Sequence, residues 1–371
     1  MTSGRKGTDG LAEELARERE HVAGRSPSYE RALALLPEVL AGPPGRYLAS
    51  AWRHRTFFAW WERPLLLLAA LRHDALRDVG HPLHAAFADD PPRAEAVTAR
   101  ALAAALDGSR ERVFDALAHR SVQTNETSRA VAWLWPAHLA GLSHGARRVA
   151  LADVGASAGL NLAADLLPPI WTDETGAPLE VALGVAAVAR IGLDPVPLDA
   201  TRDEDAEWLR ACVWPGDAER LARLEAALVA FRAARPRPDG PVLAAVAATA
   251  VPARLDLLST AVRDAVVLAY QTVVRDFLSP DDRAEYEAGM RSWLATQPPG
   301  HALWIELEAA SDGAGPEAPA ELVAHLRSRS GALEDLALAR CGFHPRRILR
   351  DLAAVERLRA RFATAAPAAH A

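Results

Sequence analysis

The stretch "ADVGASAGLN", residues 152–161, carries two motifs on the same residues. Gly155-Ala156-Ser157-Ala158-Gly159 is the G-x-S-x-G of a hydrolase nucleophile elbow. Asp153 with Gly155 and Gly159 is also the glycine loop of a nucleotide-binding fold, an acid standing two residues before the first glycine. Either motif needs a strand before it and a helix after it. "ARRVALADV" (146–154) is short, continuously apolar and bounded by Gly155, which predicts the strand. "LNLAADLL" (160–167) predicts a short helix.

Upstream the pattern is helical. "SPSYERALALLPEVLAG" (26–42) opens at Ser-Pro and stops at Gly-Pro-Pro. Residues 46–80, 93–108 and 110–120 carry apolar residues at helical spacing, and "SVQTNETSRAVAWLWPAHLAGL" (121–142) follows. Downstream of Gly145 the texture changes. Strands are expected in "LEVALGVAAVARIGLD" (179–194), "GPVLAAVAATA" (240–250), "AVVLAYQ" (265–271) and "HALWIELEA" (301–309). Helices are expected over 204–215, 217–234 and 279–297, the last with Ser279 as N-cap and Pro280 at N1. "EAPAELVAHLRSRSG" (317–331) reads as a helix and "LEDLALARCGFHP" (333–345) as a closing hairpin. Strands alternating with helices predict an α/β fold with a largely parallel sheet. Four regions follow: a peripheral segment 1–27, a helical subdomain or lid 28–145, an α/β domain 146–362 and a frayed tail 363–371.

The 371 residues carry a net charge of −6 and two cysteines, Cys212 and Cys341. An acidic chain without a basic block is not expected to bind nucleic acid. The cysteines are expected to be buried, reduced thiols. The polar start "MTSGRKGTDG" lacks the apolar core of a signal peptide, and "RPLLLLAALRHDALRD" breaks into charge too early to span a bilayer. A cytoplasmic protein without a membrane partner is expected; the oligomeric state is left open. His81-x-x-His84 has no third ligand at a suitable spacing, so no metal is expected.

Three chemistries compete for the 152–161 loop. A hydrolase elbow sits midway through a sheet, yet the preceding residues are helical and no His-Gly-Gly oxyanion loop occurs. His344 and His301 are the downstream candidates for its base, neither in a distinguishing context. A dinucleotide fingerprint counted from Gly155 needs glycines where Ser157 and Leu160 stand. The order of events suits a third reading, a Rossmann-like methyltransferase, whose sheet opens on an acid-x-Gly-x-Gly-x-Gly loop. S-adenosylmethionine carries no phosphate, so the loop cradles a methionyl and ribose unit. Asp153 would attract its amino end, and Gly155, Ala156, Ser157 and Gly159 would let the backbone approach. Asn161 would bond the ligand or brace the loop, and Asp194 would bond the ribose hydroxyls in preference to Asp173, which has the usual spacing but reads as a turn residue. After the next strand, "AAVAATAVP" offers no carboxylate for adenine.

"QTNETSR" (123–129) packs five polar groups into seven residues, more than an N-cap requires. Gln123, Thr124, Asn125 and Arg129 are therefore candidates to hold a small-molecule acceptor, with Gln271 beside them. Glu126, Tyr270 and Glu308 are the candidate catalytic groups, Glu126 as base or cation anchor. Arg129 would hold a carboxylate or brace Glu126. Glu306 shares its strand with Glu308, whose place near the strand end suits a substrate contact.

"QTNE" with its arginine, "GASAGLNL", R-x-G-x-D-x-x-P-x-D (190–199) and W-L-x-A-x-V-W-P (208–215) together resemble an uncharacterised bacterial family of the domain-of-unknown-function kind. The resemblance spans about residues 28–355. Such sequences are similar to S-adenosylmethionine-dependent methyltransferases, which implies the same α/β sheet behind an N-terminal helical subdomain. The alternatives are a non-catalytic scaffold that keeps the fold, or an α/β-hydrolase using Ser157.

Overall fold

The computed structural model describes residues 4–143, 147–311 and 318–363. Gly145, where the texture changes, and the tail from 364 lie outside the described residues. The chain divides into two compact units, residues 1–124 with 202–225, and residues 125–201 with 226–371.

The first unit is helical. It comprises Leu11–Val22, Pro27–Leu40, Pro43–Ala51, Glu62–Arg77, Ala99–Ala105, Glu111–His119 and Asp203–Ala211, with a two-residue ribbon of Arg5–Lys6 and Thr56–Phe57. Glu62–Arg77 runs through its core and buries Leu66, Leu67, Leu68 and Leu71. The start of the chain is not peripheral. Leu11, Leu15 and Val22 are buried, and Glu14 binds the fully buried Arg63 at 2.8 Å. Residues 202–225, which follow the first sheet strands in sequence, also belong to this unit.

The second unit is α/β. Its sheet has nine strands: β1 Arg148–Val154, β2 Thr172–Asp173, β3 Ala186–Asp194, β4 Pro241–Ala245, β5 Ala265–Thr272, β6 Ala302–Ala309, β7 Ala320–Arg327, β8 Leu333–Cys341 and β9 Arg347–Arg350. They lie in the order β4-β3-β1-β5-β6-β7-β8-β9-β2. β4, β3, β1, β5 and β6 are mutually parallel, while β6, β7, β8 and β9 pair antiparallel. The chain moves outward from β1 through β3 to β4, then crosses back to β5 on the other side. The carboxyl ends of β1 and β5 therefore form a topological switch point, where open sheets bind ligands.

Both faces of the sheet are covered. Val149, Leu151, Val266 and Leu268 pack with helices Val131–Leu139 and Leu352–Phe362. Ala150, Ala152, Val267 and Trp304 pack with helices Val251–Ala261 and Pro280–Thr296. The expected cap holds: Ser279 Oγ accepts the Asp282 N–H at 3.1 Å. One expected helix is a strand. Residues 320–327, read as helix, form β7. Ala320, Leu322, Ala324 and Leu326 are all buried, a period of two that pairing with β6 and β8 selects over helical propensity. Cys212 and Cys341 are free and buried. Among the described residues no helix is long and apolar enough to cross a membrane.

Arg190 on β3 forms a buried, two-pronged bridge to Asp165, at 2.7 and 2.8 Å, and also donates to the Leu162 carbonyl. Asp165→Ala leaves a buried guanidinium uncompensated and should cost about 3–5 kcal/mol in urea unfolding. Glu356→Ala, at an exposed pair, should cost under about 0.5 kcal/mol. Equal small losses would show that the buried bridge does not anchor the fold.

Candidate functional site

The site is built from the turn after β1. Three of its residues have left-handed backbones: Gly155 (φ 71°), Ser157 (φ 53°) and Gly159 (φ 70°). Alternate residues of β3 hold this turn from one face of the sheet. Asp194 Oδ2 accepts the Ser157 N–H at 2.8 Å, while its Oδ1 accepts the Val196 N–H at 2.9 Å. At Gly192 a Cβ would stand 2.8 Å from Ala156 Cβ, so only glycine lets the turn approach. Arg190 ties down the short helix Leu160–Leu166 that follows. The R-x-G-x-D pattern is thus one strand face gripping one loop.

Beneath the turn lies a buried polar group. Asp153 is paired in register with Tyr270 across β1 and β5. Burial pushes the Asp153 carboxyl up to about 8, the nearby Tyr270 hydroxyl opposes the rise, and the Asp194 charge adds to it. Tyr270 is raised well above its ordinary value, by burial and then by Asp153. The Tyr270 hydroxyl faces Asp153 but does not reach normal hydrogen-bond geometry. Its ring lies 6.3 Å from that of Trp133 at 30°. Trp133 in turn donates to the Asn161 carbonyl at 2.9 Å. Asn161 Oδ1 is buried without a protein partner. Tyr270 thus connects the buried acid on β1 to the indole, and the indole connects to the backbone of Asn161.

On the other side of the turn stands the loop after β5. Val273 has φ 57°, a strained conformation for a β-branched residue. A Cβ on Gly155 would lie 2.7 Å from Val274 Cγ2. Glu308 clamps this loop: its carboxylate accepts the Val274 N–H at 2.9 Å, the Arg275 N–H at 3.4 Å and Gln271 Nε2 at 2.8 Å. Burial lifts Glu308 to about 7, against the Gln271 and Val274 hydrogen bonds that lower it. Gln271 Oε1 accepts the Tyr286 hydroxyl and Trp304 Nε1. Glu306 binds Arg275 and His325 instead.

The candidate residues therefore separate. Tyr270 and Asp153 share one face of the sheet. Gln271 and Glu308 stand on the other, because consecutive strand residues point oppositely. The block 123–129 also divides. Gln123 and Thr124 belong to the first unit, where Arg220 donates to the Thr124 carbonyl at 3.1 Å. Asn125 and the residues after it belong to the second. Asn125, itself at φ 27°, donates through Nδ2 to Ser157 Oγ. Among the described residues no histidine hydrogen-bonds that hydroxyl. Glu126 is buried; Oε1 accepts the Ser128 N–H at 3.1 Å and Oε2 lies 3.7 Å from His344 Nδ1. Arg129 Nε donates to the Phe343 carbonyl at 2.9 Å. His344 thus stands at the site beside Glu126. From the sequence it was only a distant hydrolase candidate, and the Gly342-Phe343-His344-Pro345 turn was its one local signal. All three non-glycine residues with positive φ among those described, Asn125, Ser157 and Val273, fall at this site. Such strain persists where surrounding structure imposes it, and it gathers at functional sites. Among the described residues no group of three potential metal ligands converges.

One family profile matches the chain, that described as "Uncharacterized protein conserved in bacteria (DUF2332)", over residues 12–350. No curated protein matches, and no solved structure does.

The Asp153 carboxyl makes stability depend on pH. Its folded value of about 8 exceeds its ordinary 3.8. Its contribution is therefore fully present below about pH 4 and is lost as pH rises through 8. Asp153→Asn removes the titration. In urea unfolding the variant should gain on the wild type across that window, at up to about 1.4 kcal/mol per pH unit. A gap that does not change with pH would contradict the buried, protonated state.

Proposed function

The chain belongs to the DUF2332 family of bacterial proteins, and we propose that it binds S-adenosylmethionine at the carboxyl ends of β1, β3 and β5 and methylates a small-molecule acceptor. The observation that carries this reading is the acceptor-rich group under the turn. Asp153 and Tyr270 are paired in register beneath the turn, the Tyr270 ring lies beside Trp133, and the Tyr270 hydroxyl and Asn161 Oδ1 are buried without hydrogen-bond partners. Buried groups of this kind are costly unless a donor meets them. An ammonium group is such a donor, and the indole and phenol faces favour it further.

The rest of the turn fits the same ligand. Gly155 and Gly159 adopt left-handed backbones, and the absence of a Cβ at each lets Val274 and Leu243 close against the turn. Each Asp194 oxygen accepts one backbone N–H, and each keeps a lone pair that suits a ribose hydroxyl. Residues 246–250 after β4 contain no carboxylate, so adenine would be held by backbone groups. By analogy of fold, the parallel order β4-β3-β1-β5-β6 with its reversal at β1 supports a Rossmann-like methyltransferase sheet. When bound, S-adenosylmethionine supplies an electrophilic methyl group. The chain's own work is to bind, orient and exclude water. Asn125, tied to Ser157, would stand on the acceptor side with the buried Glu126 and Arg129 behind it, and Glu308 keeps the Val273 turn against Gly155.

Calorimetry with S-adenosylhomocysteine tests this reading. At pH 7 Asp153 is mostly protonated in the free protein and must ionise to meet the ligand's ammonium group. Binding should therefore release close to one proton, read as a buffer-dependent enthalpy in phosphate against Tris. Asp153→Asn should abolish the release and weaken binding at least about tenfold, or about 1.4 kcal/mol. Absence of binding at millimolar ligand, or a wild-type enthalpy independent of buffer, overturns the proposal.

A further inference from the structure

We propose that the open groove beside helix Val251–Ala261 binds a fatty carboxylate, an aliphatic chain with an anionic head, and that Arg254 receives the head. The groove belongs to the second unit's sheet, and the inference is independent of the methyl-transfer reading. Parallel strands have both faces covered as a rule. On this face helix Val251–Ala261 packs on β1 and β5, and helix Pro280–Thr296 packs on β6, β7 and β8. β3 and β4 are left with a groove of about 520 Å³. Its depth comes from small residues. Ala189 and Ala244 stand on its strand side with Ile191, and Leu255, Leu258 and Ala261 form its helical wall. Two of its lining residues, Val242 and Leu257, are 57% and 64% exposed. Exposed aliphatic surface gathered around a concavity marks a place of binding.

The lining decides the class of ligand. It contains no aromatic ring, so a base or an indole has nothing to stack on. It contains no carboxylate, hydroxyl or amide side chain, so a sugar finds no side-chain partner. An alkyl chain needs neither, since its burial is favourable in proportion to area alone. The groove follows β3 from Val188 to Leu193. That run is about 17 Å at the usual rise of a strand, which suits an extended chain. Two charged side chains border it, Arg190 and Arg254. The Arg190 guanidinium is bridged to Asp165. Arg254 is exposed and has no ion pair or hydrogen bond among the described residues. The chain as a whole carries 48 acidic residues against 42 lysines and arginines, yet this groove is bordered by cations alone. A guanidinium fork matches a carboxylate through two parallel hydrogen bonds. The stem of Arg254 covers the first carbons of the chain behind that head.

Calorimetry with two ligands of the same tail tests this: dodecanoate and dodecyltrimethylammonium, each kept below its micelle concentration. Dodecanoate should bind at least about tenfold tighter than the cation. Arg254→Glu should reverse that order. Ala244→Trp puts an indole into the groove and should abolish dodecanoate binding while thermal unfolding stays cooperative. Arg254→Glu changes an exposed side chain, so the charge reversal decides the matter even if the tryptophan variant fails to fold. Absence of dodecanoate binding, equal affinity for the two ligands, or an order unchanged in Arg254→Glu overturns the proposal. So does light scattering that finds a dimer which Leu257→Glu converts to monomer, because a second copy of the chain then fills the groove.

Discussion

One face of one strand governs the site. Arg190, Gly192 and Asp194 alternate along β3: Arg190 holds the helix after the turn by an ion pair, Gly192 gives the turn room by its absent side chain, and Asp194 caps the turn with its carboxylate. The turn cannot hold itself. A left-handed serine costs about 1–2 kcal/mol. A charge-assisted hydrogen bond from Ser157 N–H to Asp194 contributes about 1.5–3 kcal/mol, enough to offset it. Displacing Asp194 would release the loop, and displacing Arg190 would release the helix after it. The geometry of everything near Asp153 depends on that grip.

The two faces of β5 divide the labour. Tyr270 turns toward Asp153 and Trp133, where polar atoms lack partners. Gln271 turns the other way, into a network in which Glu308, Tyr286 and Trp304 satisfy it. The unsatisfied face is suited to a ligand, and the satisfied face is suited to support. The support has a definite task, since Glu308 holds the strained Val273 turn that closes on Gly155. Local strain at one end of the sheet is offset by buried hydrogen bonds at the same end.

Much of this was legible in the sequence. β1, its glycine turn and the cap of the Pro280–Thr296 helix each carry local signals of the right period or residue type. β7 was not legible, because alanine and leucine in "AELVAHLR" suit a helix as well as a strand, and only the neighbouring strands decide. The placement of 202–225 in the first unit is a matter of topology, on which local pattern is silent. At the site, Asp153, Gly155 and Asp194 were visible through their spacing. Glu308 was visible as a carboxylate near a strand end, but the face it points to follows from register. The approach of His344 to Glu126 is not legible, because the two lie at opposite ends of the second unit's sequence.

The central claim is that the turn after β1 and the oxygen-rich group beneath it form a cofactor site. A crystal structure of the chain grown with S-adenosylhomocysteine tests it most directly. The account predicts the ligand's ammonium group against Asp153 and Asn161, with its ribose toward Asp194. Ligand bound elsewhere, or crystals at millimolar ligand with ordered water in its place, would contradict it.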